Sequence, residues 1–268
     1  MKKVLLYANY KPESQAIKQQ LVKLLEATDI QVVDRSSTPD YVITIGGDGT
    51  MLSAFHAFQE LLDTVQFIGI HTGHLGFYAD WQGHELEPLV KCLQKASGKR
   101  VSYPLLEVTL NMRNGSQRKI LALNEFSIRT IAGTIVCDVF IKESFFETFR
   151  GDGLCIATPT GSTGLSKSLG GAVLHPRLEA IQLTEMASLN NRIYRTLSSP
   201  AVIPSDEYFV LKTSERNKDV VMMVDHKAAR LPQVKSIRLQ VAKQKIHFAS
   251  IRHTHFWDRV ENSFIGQK

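Results

Sequence analysis

Five consecutive residues, Gly46-Gly47-Asp48-Gly49-Thr50, set a carboxylate among three glycines. Glycine lets backbone come close to a ligand and adopts left-handed conformations at little cost. The five follow Tyr41-Val42-Ile43-Thr44-Ile45, a β-branched apolar run of strand length. They precede residues 51 to 62, where Leu52, Phe55 and Leu62 predict a helix. A loop between a strand end and a helix start lies where open α/β sheets bind ligands. The N–H groups of the helix start face an anion such as a phosphate. A carboxylate there repels phosphate, so Asp48 implies a metal ion or a hydroxyl that donates to it. A phosphoryl-acceptor hydroxyl fits. The alternative is a plain turn with Asp48 as helix N-cap, and these five residues do not choose between the two. The chain has no G-x-x-x-x-G-K-[ST], and around Asp48 no third glycine at the G-x-G-x-x-G spacing, which excludes a P-loop and the dinucleotide fingerprint.

The elements that position this loop alternate in type. Strands are expected at 3–9, 31–33, 41–45 and 66–70. Helices are expected at 13–27, with Ile17, Leu21, Leu24 and Leu25 on one face, and at 85–96, with Leu86, Leu89, Val90 and Leu93 inward and Gly98 at its end. Strand–helix alternation predicts a parallel sheet. The run 71–80, His71 to Asp80, follows a strand end and faces the same crevice as Asp48. Its His71 and His74 lack an evident third metal ligand, so a glycine-built loop is the better reading. Phe77 packs in the core or lies against a ligand ring.

After Arg100 the pattern changes to short β segments: 101–112 and 118–123 around the Asn114-Gly115 hairpin signal, then 126–130, 135–141, 208–212, 220–224, 237–241 and 245–251. They predict a sandwich-like second domain, interrupted by a helix near 178–188. Within it, residues 150–171 form a cluster of glycines and hydroxyls, with donors suited to a ribose or phosphate. The alternative is a long surface loop. Asn124-Glu125, at a strand end, can bond amide and ribose edges.

Composition narrows the class. With 43% hydrophobic residues in 268 the chain can bury a core, and no run of about 18 apolar residues spans a membrane. The start of the chain reads as a strand, not a signal peptide. Cys92, Cys137 and Cys155 are sparse and form no C-x-x-C, which fits a reducing cytoplasm. A net charge of +6 favours anionic partners, but no Lys/Arg stripe or nucleic-acid motif is present.

Gly-Gly-Asp-Gly-Thr after a buried strand resembles the signature of NAD kinases, diacylglycerol-type lipid kinases and, more distantly, phosphofructokinases. The later motifs choose among them. Asn124-Glu125, Gly151-Asp152-Gly153 and Thr158-Pro159-Thr160-Gly161-Ser162-Thr163, in this order over nearly the whole chain, are similar to the bacterial ATP-NAD kinase pattern. The resemblance implies an α/β, Rossmann-like N-terminal domain (1–100), an all-β sandwich-like C-terminal domain (101–250) and a terminal segment (251–268) packing back on the first. It implies a cytoplasmic homo-oligomer, dimer or tetramer. The reaction implied is transfer of the γ-phosphoryl group of ATP to the 2′-hydroxyl of the adenosine ribose of NAD, with a divalent cation, Mg²⁺, brought by ATP and no dedicated protein metal site. Carried over by position, Asp48 orients the hydroxyl and Gly49 meets ATP phosphate. Phe77, Asn124, Glu125, Arg150 and Asp152 contact the substrates, as do Thr160, Thr163, Gly164, Leu165, Ser166, Lys167 and Ser168. Ala187, on the expected 178–188 helix, lines the base pocket, and His226 reaches the new 2′-phosphate. One departure stands out: the family continues Thr-Ala-Tyr where this chain has Thr163-Gly164-Leu165, so an aromatic stacking partner is missing and weaker dinucleotide binding is expected. Rival readings are a lipid or sugar kinase sharing the first motif, and a sensor that binds NAD(P) without turnover.

Overall fold

The computed structural model describes residues 1–73, 76–214, 219–230, 234–252 and 255–266. They form two units: residues 1–102 together with 245–268, and residues 103–244.

The first unit is a parallel sheet with helices. Lys3–Ala8 lies centrally, with Gln31–Val32 on one side and Tyr41–Ile45 on the other, and Gln66–His71 pairs the outer edge of Tyr41–Ile45. In chain order this is 2-1-3-4, and the neighbour direction reverses at the first strand, so a crevice opens between the carboxyl ends of Lys3–Ala8 and Tyr41–Ile45. Tyr41, Ile43 and Ile45 share one core with Leu21 and Leu25 of helix Pro12–Glu26 and with Leu86, Leu89, Val90 and Leu93 of helix Leu86–Lys95. The alternate residues Val42 and Phe67 are equally buried on the other face. That is why these strands read as unbroken apolar runs rather than alternating ones.

The second unit is an antiparallel sandwich. One sheet runs Ala201–Pro204, Ala180–Met186, Gly153–Ala157, Glu125–Thr130, Val220–Val224, Lys227–Arg230. Facing it are Ser144–Gly151, Ile135–Ile141, Tyr208–Thr213 and the hairpin of Arg100–Met112 with Gln117–Ala122. Phe126, Ile128, Leu154, Ile156, Ile181 and Leu183 meet Cys137, Val139, Phe149, Phe209 and Leu211 in one core. At the hairpin, Gly115 takes φ +85°, a conformation that favours glycine.

Several expectations are corrected. The segment 178–188 is not a helix but the strand Ala180–Met186. Its apolar residues fall out of strict alternation because both faces are buried: Ile181 and Leu183 enter the sandwich core, while Met186 packs with Cys155 and Ala157 on the opposite face, where Gln182 is fully buried by bonding Ser166 and Ala172. The helix expected at 51–62 begins earlier, inside the glycine loop, as Asp48–Ala57, and ends in a 3-10 turn, Gln59–Leu61. The segments 237–241 and 245–251 belong to one long strand, Val234–Ala249. His74 lies outside the described residues. His71 is buried, and its Nδ1 accepts the Gly73 N–H at 3.0 Å.

Candidate active site

In the first unit, Gly46 sits at φ +150°, and a Cβ there would meet Thr50 Oγ1 at 2.3 Å and Asn9 Nδ2 at 2.5 Å. Only glycine lets the chain turn so tightly from strand into helix. Gly47 is the N-cap, so Asp48 is the first helical residue and not the cap. The first intrahelical bonds run from Thr50 N–H and Met51 N–H to the Gly47 carbonyl. The N–H groups of Asp48 and Gly49 therefore precede the helical ladder. A Cβ on Gly47 or Gly49 would meet nothing within 4 Å, so this backbone faces open space.

The Asp48 carboxylate leaves its own helix. Oδ2 accepts the Phe77 N–H at 3.0 Å and Oδ1 the Tyr78 N–H at 3.2 Å. The approach is so close that a Cβ on Gly76 would lie 2.3 Å from Asp48 Oδ1. Each carboxylate oxygen has a further lone pair, so a substrate hydroxyl can still donate to it. The Phe77 ring is engaged by the protein: it lies 6.5 Å from Phe256 and is stacked at 5.6 Å on Phe264.

Beside the loop lies a cleft of about 750 Å³, at the point where the strand order reverses. Asn9, Lys18, Arg35, Gly47, Gly49 and Ser53 line it. Asn9 Nδ2 donates to Thr50 Oγ1 at 3.2 Å, tying the end of strand Lys3–Ala8 to the first turn of helix Asp48–Ala57. The Arg35 guanidinium lies over the Tyr7 and Phe58 rings, 5.7 and 5.5 Å from their centroids. Asn9, Lys18 and Arg35 were not singled out in the sequence. The signal available for Asn9 was its place just after a strand, the same signal that marked Asp48.

In the second unit, Asn124, Glu125, Thr160 and Gly164 come together at the end of strand Glu125–Thr130. Asp225 organises them. It is buried at φ +52°, and its carboxylate accepts the N–H groups of Leu123, Asn124 and Glu125 at 3.1, 2.7 and 3.2 Å. Sequence reasoning named its exposed neighbour His226 and missed Asp225, although an Asp between two β runs is a turn signal. Glu125 Oε2 is buried without a hydrogen-bond partner. Burial, and then the Asp225 charge, push its carboxyl up to about 7, with Arg129 opposing. A Cβ on Gly164 would lie 3.6 Å from that orphan oxygen.

Most hydroxyls of the 158–168 segment point inward. Thr158 and Thr160 hydroxyls donate to the Leu123 carbonyl at 2.6 and 2.9 Å, and Ser162 binds the Pro159 carbonyl at 2.6 Å. Ser166 Oγ accepts Gln182 Nε2 at 2.8 Å, and Thr163 donates to the Thr160 carbonyl at 3.2 Å. Leu165 packs on Cys155, Ala157 and Met186. Lys167 is half-buried and Ser168 exposed. Arg150, Asp152 and Ala187 form a separate group around Gly151. A Cβ there would meet the Met186 and Ala187 carbonyls at 2.7 and 2.8 Å. Ala187 is exposed at φ +45° in the turn after a strand, and the Asp152 side chain is exposed. Arg150 lies 4.2 Å above the Tyr194 ring.

Among the described residues no cluster of three His, Cys, Asp or Glu side chains could hold a metal ion, and no helix is long and apolar enough to cross a membrane.

A parallel sheet with a glycine-aspartate loop at its switch point, followed by a β-sandwich, is a two-part architecture whose ligand crevice lies at the carboxyl ends of the parallel strands. The chain matches the ATP-NAD kinase N-terminal domain over residues 10–96 and the ATP-NAD kinase C-terminal domain over residues 123–251. It belongs to the ATP-NAD kinase family. It is 51% identical to the NAD kinase of Lacticaseibacillus paracasei over 266 residues, 99% of each chain. It is 50% identical to that of Enterococcus faecalis over 266 residues, again 99% of each. Among solved structures it is similar in fold to a yeast NADH kinase complexed with NADH: TM-score 0.85 and 20% identity, over 99% of this chain and 87% of that one. It is likewise similar to an Archaeoglobus fulgidus NAD kinase in complex with ATP: TM-score 0.76 and 20% identity, over 98% and 99%. The lipid-kinase, sugar-kinase and sensor readings find no support in these comparisons.

Proposed function

We propose that Asp48 receives and orients the 2′-hydroxyl of the adenosine ribose of NAD while ATP occupies the cleft beside it. The chain is an NAD kinase: the γ-phosphoryl group of ATP passes to that hydroxyl, giving NADP and ADP. The observation that carries the assignment of Asp48 is its carboxylate, held by two backbone N–H groups at the edge of a loop where a Cβ on Gly47 or Gly49 would meet nothing within 4 Å. Phosphate oxygens of ATP accept from the N–H groups at the helix start. Lys18 and Arg35 bring positive charge to the same cleft, whose volume suits a nucleotide.

In the transfer, the ribose oxygen bonds to the γ-phosphorus as the bond to the ADP oxygen breaks. A loose transition state leaves the hydroxyl proton in place until late, so Asp48 orients first and accepts the proton as the new bond forms. A divalent cation bound with ATP neutralises charge on the phosphates. Such a cation would come with ATP, held by its phosphates. Asn124 and Glu125 bind ribose hydroxyls; the orphan Glu125 Oε2 is an acceptor awaiting a donor. Arg150, Asp152 and Ala187 contact the dinucleotide, and His226 meets the new 2′-phosphate.

The setting we propose is cytoplasmic, in keeping with three free cysteines. The assembly we propose is a homo-oligomer, dimer or tetramer, through the stretch 187–200, where Leu189, Ile193 and Leu197 are exposed and Ile193 is 81% so. Sedimentation at micromolar concentration tests that. For the reaction, purified protein is offered ATP and Mg²⁺ with either NAD or a diacylglycerol. NADP is expected with the first and no product with the second; the reverse outcome overturns the reading.

A further inference from the structure

The helix Phe256–Phe264 reaches the Asp48 carboxylate through one peptide group. Arg259 on this helix is 5% exposed. Its Nη1 donates to the Phe77 carbonyl and its Nη2 to Asp80 Oδ1. The Phe77 carbonyl and the Tyr78 N–H belong to the same planar peptide unit. That N–H is the one that donates to Asp48 Oδ1 at 3.2 Å. The contacts therefore run in series, from Asp80 to Arg259, across the 77–78 peptide, to Asp48.

We infer that Arg259 is a positioning residue for the phosphoryl transfer, acting through the Phe77–Tyr78 peptide on the side chain of Asp48. The physical reasons are three. A planar guanidinium engaging two acceptors sets the direction of the Phe77 carbonyl, which a single ammonium does less well. Because the peptide is planar, fixing its oxygen fixes the opposite N–H, and so the oxygen of Asp48 that receives it. A hydrogen bond accepted at the carbonyl also polarises the peptide and makes its N–H a stronger donor. Asp80, paired with Arg259, balances the cation in a nearly dry environment, where the two side chains are 10% and 6% exposed. The rings of Phe256 and Phe264 against Phe77 hold the same loop by packing.

The inference rests on the reading that Asp48 takes the acceptor hydroxyl, and the test separates the two. Arg259→Gln is expected to lower kcat by about 10- to 100-fold, with the KM values for NAD and ATP changed by less than about two-fold. Arg259→Lys keeps the charge and recovers part of the rate. If the Gln variant does not fold, the Lys variant carries the test through the same kcat-against-KM split. Val260→Ala, a buried neighbour on the same helix with an apolar side chain, is expected to lower Tm and leave kcat unchanged. In an Asp48→Asn background, Arg259→Gln is expected to have no further effect on the residual rate. Unchanged kcat in the Arg259 variants, an equal loss in Val260→Ala, or losses that multiply in the Asp48→Asn background each overturn the proposal. Amide exchange supplies a readout independent of turnover. The Tyr78 N–H is expected to exchange about tenfold faster or more in the Arg259 variants. If Asp48→Asn leaves NADP formation intact, the acceptor-site reading fails. The exchange result still decides whether the clamp exists.

Discussion

Gly47 and Gly49 look onto empty space, whereas Gly161 presses on the backbone of Asn124, where a Cβ would meet the carbonyl oxygen at 2.1 Å. All three glycines lie in polar, glycine-rich stretches that read alike as sequence. In the first unit Gly47 and Gly49 leave room beside the backbone of the glycine loop, and its carboxylate is supported by the N–H groups of Phe77 and Tyr78. In the second, the 158–168 segment turns its hydroxyls inward, onto Leu123, Pro159 and Gln182. One stretch leaves its backbone open, as the proposed binding of ATP phosphates requires. The other is built to hold Asn124 and Glu125 in place. A cluster of glycines and hydroxyls therefore says that backbones come close, and not which neighbour they approach.

The comparison can be broken most forcefully at Asp48. Asp48→Asn is expected to lower kcat by roughly 10²- to 10⁴-fold with the fold intact, as judged by Tm. A rate within a few-fold of the original would remove the first loop from the chemistry. Next come the two kinds of glycine. Gly161→Ala is expected to cost about 1–3 kcal/mol in urea unfolding, because the added methyl overlaps a carbonyl. Gly49→Ala is expected to leave stability within about 0.5 kcal/mol, since its Cβ meets nothing, and to raise the ATP KM. Equal stability losses would mean the two segments are alike after all.

Glu125 sharpens the contrast through pH. Its carboxyl titrates near 7 in the folded chain, against a model-compound value of 4.5, chiefly through burial and then through Asp225. Between those values the folded state holds a proton that the unfolded state has lost, so stability falls as pH rises from about 4.5 to 7. Glu125→Gln is expected to remove this slope and to stabilise the protein above pH 7 by on the order of 1–2 kcal/mol. Denaturant midpoints measured at pH 5 and pH 8 check it. The smallest effect is expected at Leu165. Leu165→Tyr adds a ring where the family has one and is expected to lower the NAD KM by roughly two- to tenfold. An unchanged KM would show that apolar packing on Cys155 and Met186 suffices there.

The parallel sheet was legible because buried strands and amphipathic helices carry distinct periods, and helix Leu86–Lys95 buries the four residues its spacing indicates. The strand Ala180–Met186 was not: Ile181-Gln182-Leu183-Thr184 alternates, but the pattern breaks at Glu185-Met186, where Met186 is buried away from the sandwich core beside Cys155 and Ala157. Asp48 drew attention from sequence because a carboxylate repels the phosphate that such a glycine loop invites, but the loop alone left open a role as helix N-cap, and only the structure gives that position to Gly47. The partners of Asp48 were not legible. The hydrogen bonds from Phe77 and Tyr78, the clamp by Arg259 some 180 residues along the chain, and the three N–H groups gathered by Asp225 all join distant segments. Local sequence fixes which backbone conformations are cheap. Which side chain then meets which peptide group is decided only when the elements pack, because hydrogen bonds across the fold depend on positions to within tenths of an ångström.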